Sequence, residues 1–154
     1  MGDMSSAAEE LALKLSRGGL QKMTARVLST LLFTEKEAIT MGEIATQLGA
    51  SAGSVSTAIK TLSGVGLIER VPSPGSRREH YRFPDNGWAR LMSTQNELVQ
   101  MMQDAAQSGI DAIGDERTTA GKRLVLMRDF HAYMMRELPT LIDSWYEEHE
   151  RQRS

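Results

Sequence analysis

Two short stretches carry residues whose types and spacing suit chemistry. In the first, ASAGSVSTAIKTL, the apolar Val55, Ala58, Ile59 and Leu62 recur at helical spacing. That leaves Ser54, Ser56, Thr57, Lys60 and Thr61 on the opposite face, with Ser51 at the helix start and the small Ala52 and Gly53 just inside it. Small residues let such a helix approach another surface closely. The hydroxyls can bond to base edges or phosphate oxygens, and Lys60 can neutralise a phosphate. Backbone N–H groups at the helix start favour a phosphate as well. In the second stretch, Arg77 and Arg78 follow a PSPGS turn, and His80 and Arg82 lie on one side of the strand beyond it. Arginines at an exposed hairpin tip suit a narrow minor groove, where negative potential is concentrated. Each stretch alone also reads as a solvated helix face or a basic turn kept for solubility. Together they point to double-stranded DNA.

The elements that must position these residues follow from periodicity. The opening MGDMSS is small and polar and reads as disordered. Ala8, Leu11, Ala12 and Leu15 mark a first helix, which Gly18 and Gly19 break. A second helix spans about 21–33, with Met23, Val27, Leu28, Leu31 and Leu32 as a wide apolar stripe that places it centrally. TEKEAIT reads as a loop. Thr40 followed by Glu43 has capping-box spacing and starts the short helix MGEIATQL, with Ile44, Ala45 and Leu48 inward and Gly49 at its end. After the helix opened by Ser51, Gly64 and Gly66 mark a stop.

The period then switches to two. Leu67–Val71 and Glu79–Phe83 read as the strands of a hairpin, with Tyr81 and Phe83 on one face. Such a hairpin is barely stable alone, so it must pack on something or do something. The remainder is helical. Trp88, Leu91, Gln95, Leu98, Met102 and Ala105 form one stripe, a break falls near Gly114, and Leu124, Met127, Phe130, Met134, Leu138, Leu141 and Trp145 form another, with Pro139 placed to kink it.

The expected fold is therefore mainly α with a small β-hairpin: a winged helix-turn-helix at about residues 40–83, flanked by N- and C-terminal dimerisation helices. The domains read as a dimerisation arm over 1–20, a DNA-binding domain over 21–87 and a helical dimerisation region over 88–154. The first short helix braces the second, which is presented to the major groove, and the hairpin lies beside the duplex.

Charge agrees modestly. The net charge is −2, but between Thr40 and Phe83 the cations Lys60, Arg70, Arg77, Arg78 and Arg82 outweigh Glu43, Glu69 and Glu79. What matters for DNA is where the charge sits. The absence of cysteine excludes thiolate chemistry and fits a reducing cytoplasm. No apolar run approaches a membrane span and no signal peptide opens the chain, so a cytoplasmic protein is expected. His80, His131 and His149 are scattered, and Asp129 and His131 face different sides of a helix. No metal site, cofactor or enzymatic motif is expected.

The stretches GLQKMTARVLSTLLF and MGEIATQLGASAGSVSTAIKTLSGVGLIERVPSPGSRREHYRF resemble the multiple-antibiotic-resistance regulator (MarR) family, closest to its glycine-betaine-synthesis (GbsR-like) branch. GSVST, GLIERV and PGSRREHYRF carry most of the likeness, which covers about residues 20–90. The resemblance implies an obligate homodimer on a pseudo-palindromic operator, mostly acting as a repressor, with release by small ligands in many members. It implies that Ser54, Ser56 and Thr57 face the major groove and that Arg77 and Arg78 form the wing tip. Two positions depart from the family pattern: Ser76-Arg77-Arg78 stands where an acidic-x-arginine motif is common, and Thr57 where many relatives carry arginine. Both bear on the operator sequence rather than the binding mode.

The expected DNA-contacting set is Ser51, Gly53, Ser54, Ser56, Thr57, Lys60, Arg77, Arg78 and Arg82, and the expected dimer interface is Leu11, Leu15, Phe130, Met134, Leu138, Leu141 and Trp145. The last apolar repeat is too long for one small domain to cover, so it is expected to pack partly within the chain and partly across a two-fold axis. Met92, Met101, Met102, Met127, Met134 and Met135 suit a pocket for a small apolar effector and equally an ordinary core. The alternative function is a winged helix used for protein contact alone, which an uncharged wing tip would have favoured.

Overall fold

Helix α1 (Gly2–Arg17) ends where Gly18 and Gly19 release it, and α2 (Lys22–Phe33) follows at once. The computed structural model describes residues 2–154, with side chains from Met4 onward. The disorder expected of the opening residues does not hold for Gly2–Ser6, which belong to α1. The good helix formers of AAEELA propagate the helix backward over them. Met1 lies outside the described residues.

The structure divides into two compact units, residues 1–91 and 92–154. In the first, α2 is buried on most of its circumference: Ala25, Val27, Leu28 and Leu31 are apolar, and Thr24, Ser29 and Thr30 are polar but partnered. The Ser29 hydroxyl donates to the Ala8 carbonyl at 2.5 Å, which ties α1 to α2. Leu15 rests against the same core, and Ala12 is buried. Leu15, expected at a dimer interface, is half-buried against the chain's own core.

The polar stretch after α2 is not all loop. Its last residues form β1 (Ile39–Thr40), which pairs antiparallel with β3 (His80–Arg82), and β3 pairs antiparallel with β2 (Glu69–Val71). The expected two-stranded hairpin is a three-stranded sheet of order β1-β3-β2. Two residues are too few to show a period of two, and a third strand shields an otherwise exposed hairpin edge.

Between β1 and β2 lie α3 (Met41–Leu48) and α4 (Ala52–Gly64). Ile44 of α3 and Val55, Ala58, Ile59 and Leu62 of α4 join Val27, Leu28, Leu31, Leu67, Ile68 and Tyr81 in one apolar cluster. Removing a buried side chain such as Ile44 costs roughly 2–5 kcal/mol. Gly66 makes the turn from α4 into β2 at φ +83°, and a Cβ there would stand 2.7 Å from the Arg90 Cβ.

Helix α5 (Gly87–Ile113) crosses into the second unit, where α6 (Thr119–Arg153) follows a break at Gly114, whose φ is +76°. Thr118 caps α6 by accepting the Gly121 N–H at 3.0 Å. The buried positions of α5 in this unit include Ala106 and Ile110, while Leu98 and Ala105 are exposed. The expected α5 stripe is therefore out of register over Leu98 and Ala105. α6 continues through Pro139. Its stripe divides: Leu138 is buried, Leu124, Met127 and Met134 are half-buried, and Phe130, Leu141 and Trp145 are more than half exposed. Leu138, expected at the dimer interface, is already covered within the chain.

Candidate nucleic-acid interface

Helix α3 is built as a brace for α4. Thr40 Oγ1 accepts the Glu43 N–H at 3.1 Å, and Lys36 Nζ donates to the Glu43 carboxylate at 2.7 Å. Lys36 beside it holds the Glu43 carboxyl below its usual range, with Thr40 adding to the effect against partial desolvation. At the other end Gly49 takes the left-handed conformation, at φ +60°. Ala50 N–H returns to the Ala45 carbonyl at 3.0 Å. Arg26 of α2 donates to the Leu48 carbonyl at 2.9 Å.

One residue later Ser51 caps α4, accepting the Ser54 N–H at 3.2 Å and donating to the Ser54 hydroxyl at 2.9 Å. The buried stripe of α4 turns Gly53, Ser54, Thr57, Lys60 and Thr61 to solvent, with Ser51 exposed at the cap. The Thr57 hydroxyl donates to the Gly53 carbonyl at 3.1 Å and the Thr61 hydroxyl to the Thr57 carbonyl at 3.2 Å. Their protons are directed back into the helix, so each presents lone pairs outward and serves best as an acceptor. Ser56 differs from the expectation. It is half-buried and lines the hollow on the hairpin side of α4.

The hairpin tip turns at Gly75, at φ +81°, and the Ser76 N–H donates to the Ser73 carbonyl at 3.1 Å. Ser76 Oγ accepts the Arg78 N–H at 3.2 Å, and His80 Nδ1 lies 3.1 Å from the Arg78 carbonyl. Arg77 and Arg78 are exposed, and among the described residues neither guanidinium has an ion-pair partner within 4.0 Å. Arg82 stands apart from them. It faces Glu69 across the strands, and its Nε donates to the Glu69 carboxylate at 2.5 Å. That bond raises the Arg82 pKa above its usual value. Glu69 also lies 3.8 Å from Arg90. Arg82 is thus a compensated cation at the wing base, unlike the two at the tip.

The sequence reading does not name Arg26, and it counts Arg70 and Glu79 for charge without giving them a place in the site. Arg70 is opposite Tyr81 in the register, so both side chains share the sheet face toward α4. The alternation in LIERV carried that signal. Arg70 lies 3.1 Å from Glu79, whose other oxygen accepts the Tyr81 hydroxyl at 2.6 Å. Burial and then the Glu79 carboxylate push the Tyr81 hydroxyl pKa up. Among the described residues no three of His, Cys, Asp and Glu gather as metal ligands, and no helix is long and apolar enough to cross a membrane. The His131 Nδ1 is 2.6 Å from the Met127 carbonyl, a helix-internal contact.

Residues 18–79 match the family model described as MarR family, and residues 86–149 match the one described as MmpR5-like MarR family transcriptional regulator. The HTH-type transcriptional regulator MmpR5 of Mycobacterium tuberculosis is 33% identical over 132 residues, covering 86% of this chain and 80% of that protein. The crystal structure of a transcriptional regulator with 30% sequence identity superposes with a TM-score of 0.83, over 94% of this chain and 99% of the other.

Proposed function

The chain belongs to the MarR family of transcriptional regulators, and from that membership we propose that it is a homodimeric repressor of a pseudo-palindromic operator. It binds DNA with a winged helix-turn-helix. In the proposed mode α4 enters the major groove with Ser54 and Thr57 toward base edges, while Gly53 allows close approach. Ser51 at the cap and Lys60 meet phosphates, and Arg77 and Arg78 reach the backbone or the minor groove beside the site. The observation that carries this reading is the pairing of an exposed hydroxyl face on α4 with two uncompensated arginines at the wing tip. Ser56 sits on the hairpin side of the groove-facing surface, and Arg82 orders the wing through Glu69 rather than meeting DNA as a free cation.

The dimer belongs to the same proposal. Leu126, Phe130, Tyr133, Leu141 and Trp145 of α6 are all more than half exposed. Apolar surface of this extent on a charged helix marks a contact site, and a two-fold pair is the commonest solution. On α1 the exposed large apolar residues are Met4 and Leu13, and Leu11 is half-buried. A small apolar effector that releases the operator completes the proposal. The exposed, adaptable Met92 and Met101 support it. Action in the cytoplasm, without catalysis, follows from the same reading. Within the family, the match of α5 and α6 favours the MmpR5-like relatives over the glycine-betaine-synthesis branch suggested by the wing sequence.

Selection of random duplex oligonucleotides by the purified protein tests the proposal. The expected product is an inverted repeat whose half-sites lie about 10 base pairs apart, one helical turn. Enrichment of no sequence, or of a single asymmetric half-site, would contradict it.

A further inference from the structure

A polar hollow lies between α4 and the sheet. Its walls include Ser56, Lys60 and Ser63 from α4, and Arg70, Glu79 and Tyr81 from β2, β3 and the residue before it. The register fixes the sheet side: Arg70 and Tyr81 are cross-strand partners, and Glu79 is two residues before Tyr81 on the same face. Glu79 uses both oxygens, one toward Arg70 at 3.1 Å and the other accepting from Tyr81 at 2.6 Å. Tyr81 is buried and anchored in the core, so Glu79 is held to a fixed point and Arg70 is held through it. Lys60 faces the same hollow from the opposite wall.

We propose that this hollow seats a phosphate of the duplex backbone between α4 and the wing, with Lys60 and Arg70 as its cations and Glu79 as the carboxylate that holds Arg70 until the phosphate replaces it. The inference rests on the proposed docking of α4 in the major groove. A duplex that has α4 in its groove and the wing beside it passes one backbone across the space between them. Ser56 and Ser63 with a cation on each side match a phosphate there, and the second carboxylate of the lining, Glu69, is already paired with Arg82 and with Arg90, which also lines the hollow. Arg70 and Glu79 are 68% and 51% exposed as side chains, and ion pairs so exposed contribute little to stability. Arg70 can therefore exchange Glu79 for a phosphate at small cost. Glu79 itself repels the incoming phosphate, so its charge limits affinity while its bond to Tyr81 keeps the wall in place.

The test is a titration of Arg70→Gln, Arg70→Lys and Glu79→Gln at several salt concentrations, on the selected operator and on an arbitrary duplex of about 30 base pairs. An Arg77→Ala/Arg78→Ala variant runs beside them. Each phosphate contact contributes about 0.9 to the slope of log affinity against log salt. Arg70→Gln is expected to shallow the slope by about 0.9 for each Arg70 engaged, and to weaken both duplexes about fivefold per contact at 0.15 M salt. Arg70→Lys keeps the slope, because a point charge suffices. Glu79→Gln retains an acceptor for Tyr81 and tightens both duplexes. A folded Arg70→Gln protein with wild-type affinity and slope overturns the inference, as does a Glu79→Gln protein that weakens binding. If the wing-tip variant loses binding while Arg70→Gln does not, the inference fails and the docking mode stands. If the wild-type protein binds neither duplex, the docking mode itself fails.

Discussion

Arg26 of α2 donates from Nη2 to the carbonyl oxygen of Leu48 at 2.9 Å, closing the C-terminus of α3 from a helix twenty-two positions earlier in the chain. A helix C-terminus leaves its last carbonyls without intrahelical donors and carries partial negative charge. The left-handed Gly49 and the returning Ala50 N–H satisfy some of these carbonyls, and Arg26 takes the last. The bond matters because the next residues are the turn that aims α4.

Arg26→Met keeps the aliphatic stem and deletes the guanidinium. A half-buried hydrogen bond to a charged group contributes about 1.5–3 kcal/mol. Chemical denaturation is expected to show a loss within that range, and DNA affinity should fall along with it as the brace under α4 loosens. A variant as stable as the wild type would mean that water replaces Arg26 at the Leu48 carbonyl.

The wing tip offers a cleaner separation of binding from folding. Arg77 and Arg78 are exposed and support no core. Arg77→Ala with Arg78→Ala is expected to leave the thermal midpoint unchanged while weakening operator binding and flattening its salt dependence. An unchanged slope in the folded variant would remove these residues from the interface.

Thr57 is the place to look for sequence reading. Its hydroxyl proton is already given to the Gly53 carbonyl, so Thr57→Val removes an outward acceptor and little else. The expected effect is a loss of discrimination between operator and random DNA of about 1 kcal/mol, at the low end of what a good base contact supplies. Equal weakening on both duplexes would make Thr57 a phosphate contact instead.

What the sequence made legible follows from the length of each signal. The Thr40–Glu43 spacing, the Gly49 stop and the Val55–Leu62 stripe each repeat a local rule, and each appears in the structure as read. β1 is not legible in the sequence because two residues carry no periodicity and its pairing, Ile39 opposite Tyr81, is decided 42 residues away. Ser56 and Arg82 were placed by counting along one element. Their surroundings come from another element: the sheet wall beside Ser56, and Glu69 across the strands from Arg82. The α5 stripe rests on residue type and spacing alone, and Trp88, Gln95, Leu98 and Ala105 on it are all exposed in the single chain.

Acid should loosen α3 first at its N-terminus. Lys36, then the backbone and side chain of Thr40, hold the Glu43 carboxyl below its usual value of 4.5. A carboxyl depressed in the folded state contributes stability that is fully present above the unfolded value and is lost as pH falls through the folded one. Its contribution therefore disappears on going below about pH 4.5. Because the Lys36–Glu43 pair is open to solvent, with the two side chains 68% and 41% exposed, the effect is small. Glu43→Gln is expected to flatten the acid limb of a stability-against-pH curve and to leave the neutral limb parallel to wild type. An unaltered acid limb would show that the Lys36 pair does not persist in solution.

The last expectation joins architecture to DNA binding. Phe130 is 57% and Leu141 68% exposed on α6, so glutamate at either position leaves the chain's own core intact. In a dimer closed through this face, the same substitutions would bury carboxylates without partners, which is costly. Two recognition helices held about 34–36 Å apart can enter successive major grooves on one face of the duplex. Linking them makes the second contact intramolecular and can raise affinity by about 10²–10⁴. Phe130→Glu/Leu141→Glu is therefore expected to yield a folded monomer whose operator affinity falls by a factor in that range, while its weak binding to random DNA changes little. Light scattering and an operator titration on the same preparation decide the matter. A folded monomer that still bound the whole operator as the wild type does would show that α6 serves something other than the spacing of two DNA-binding lobes.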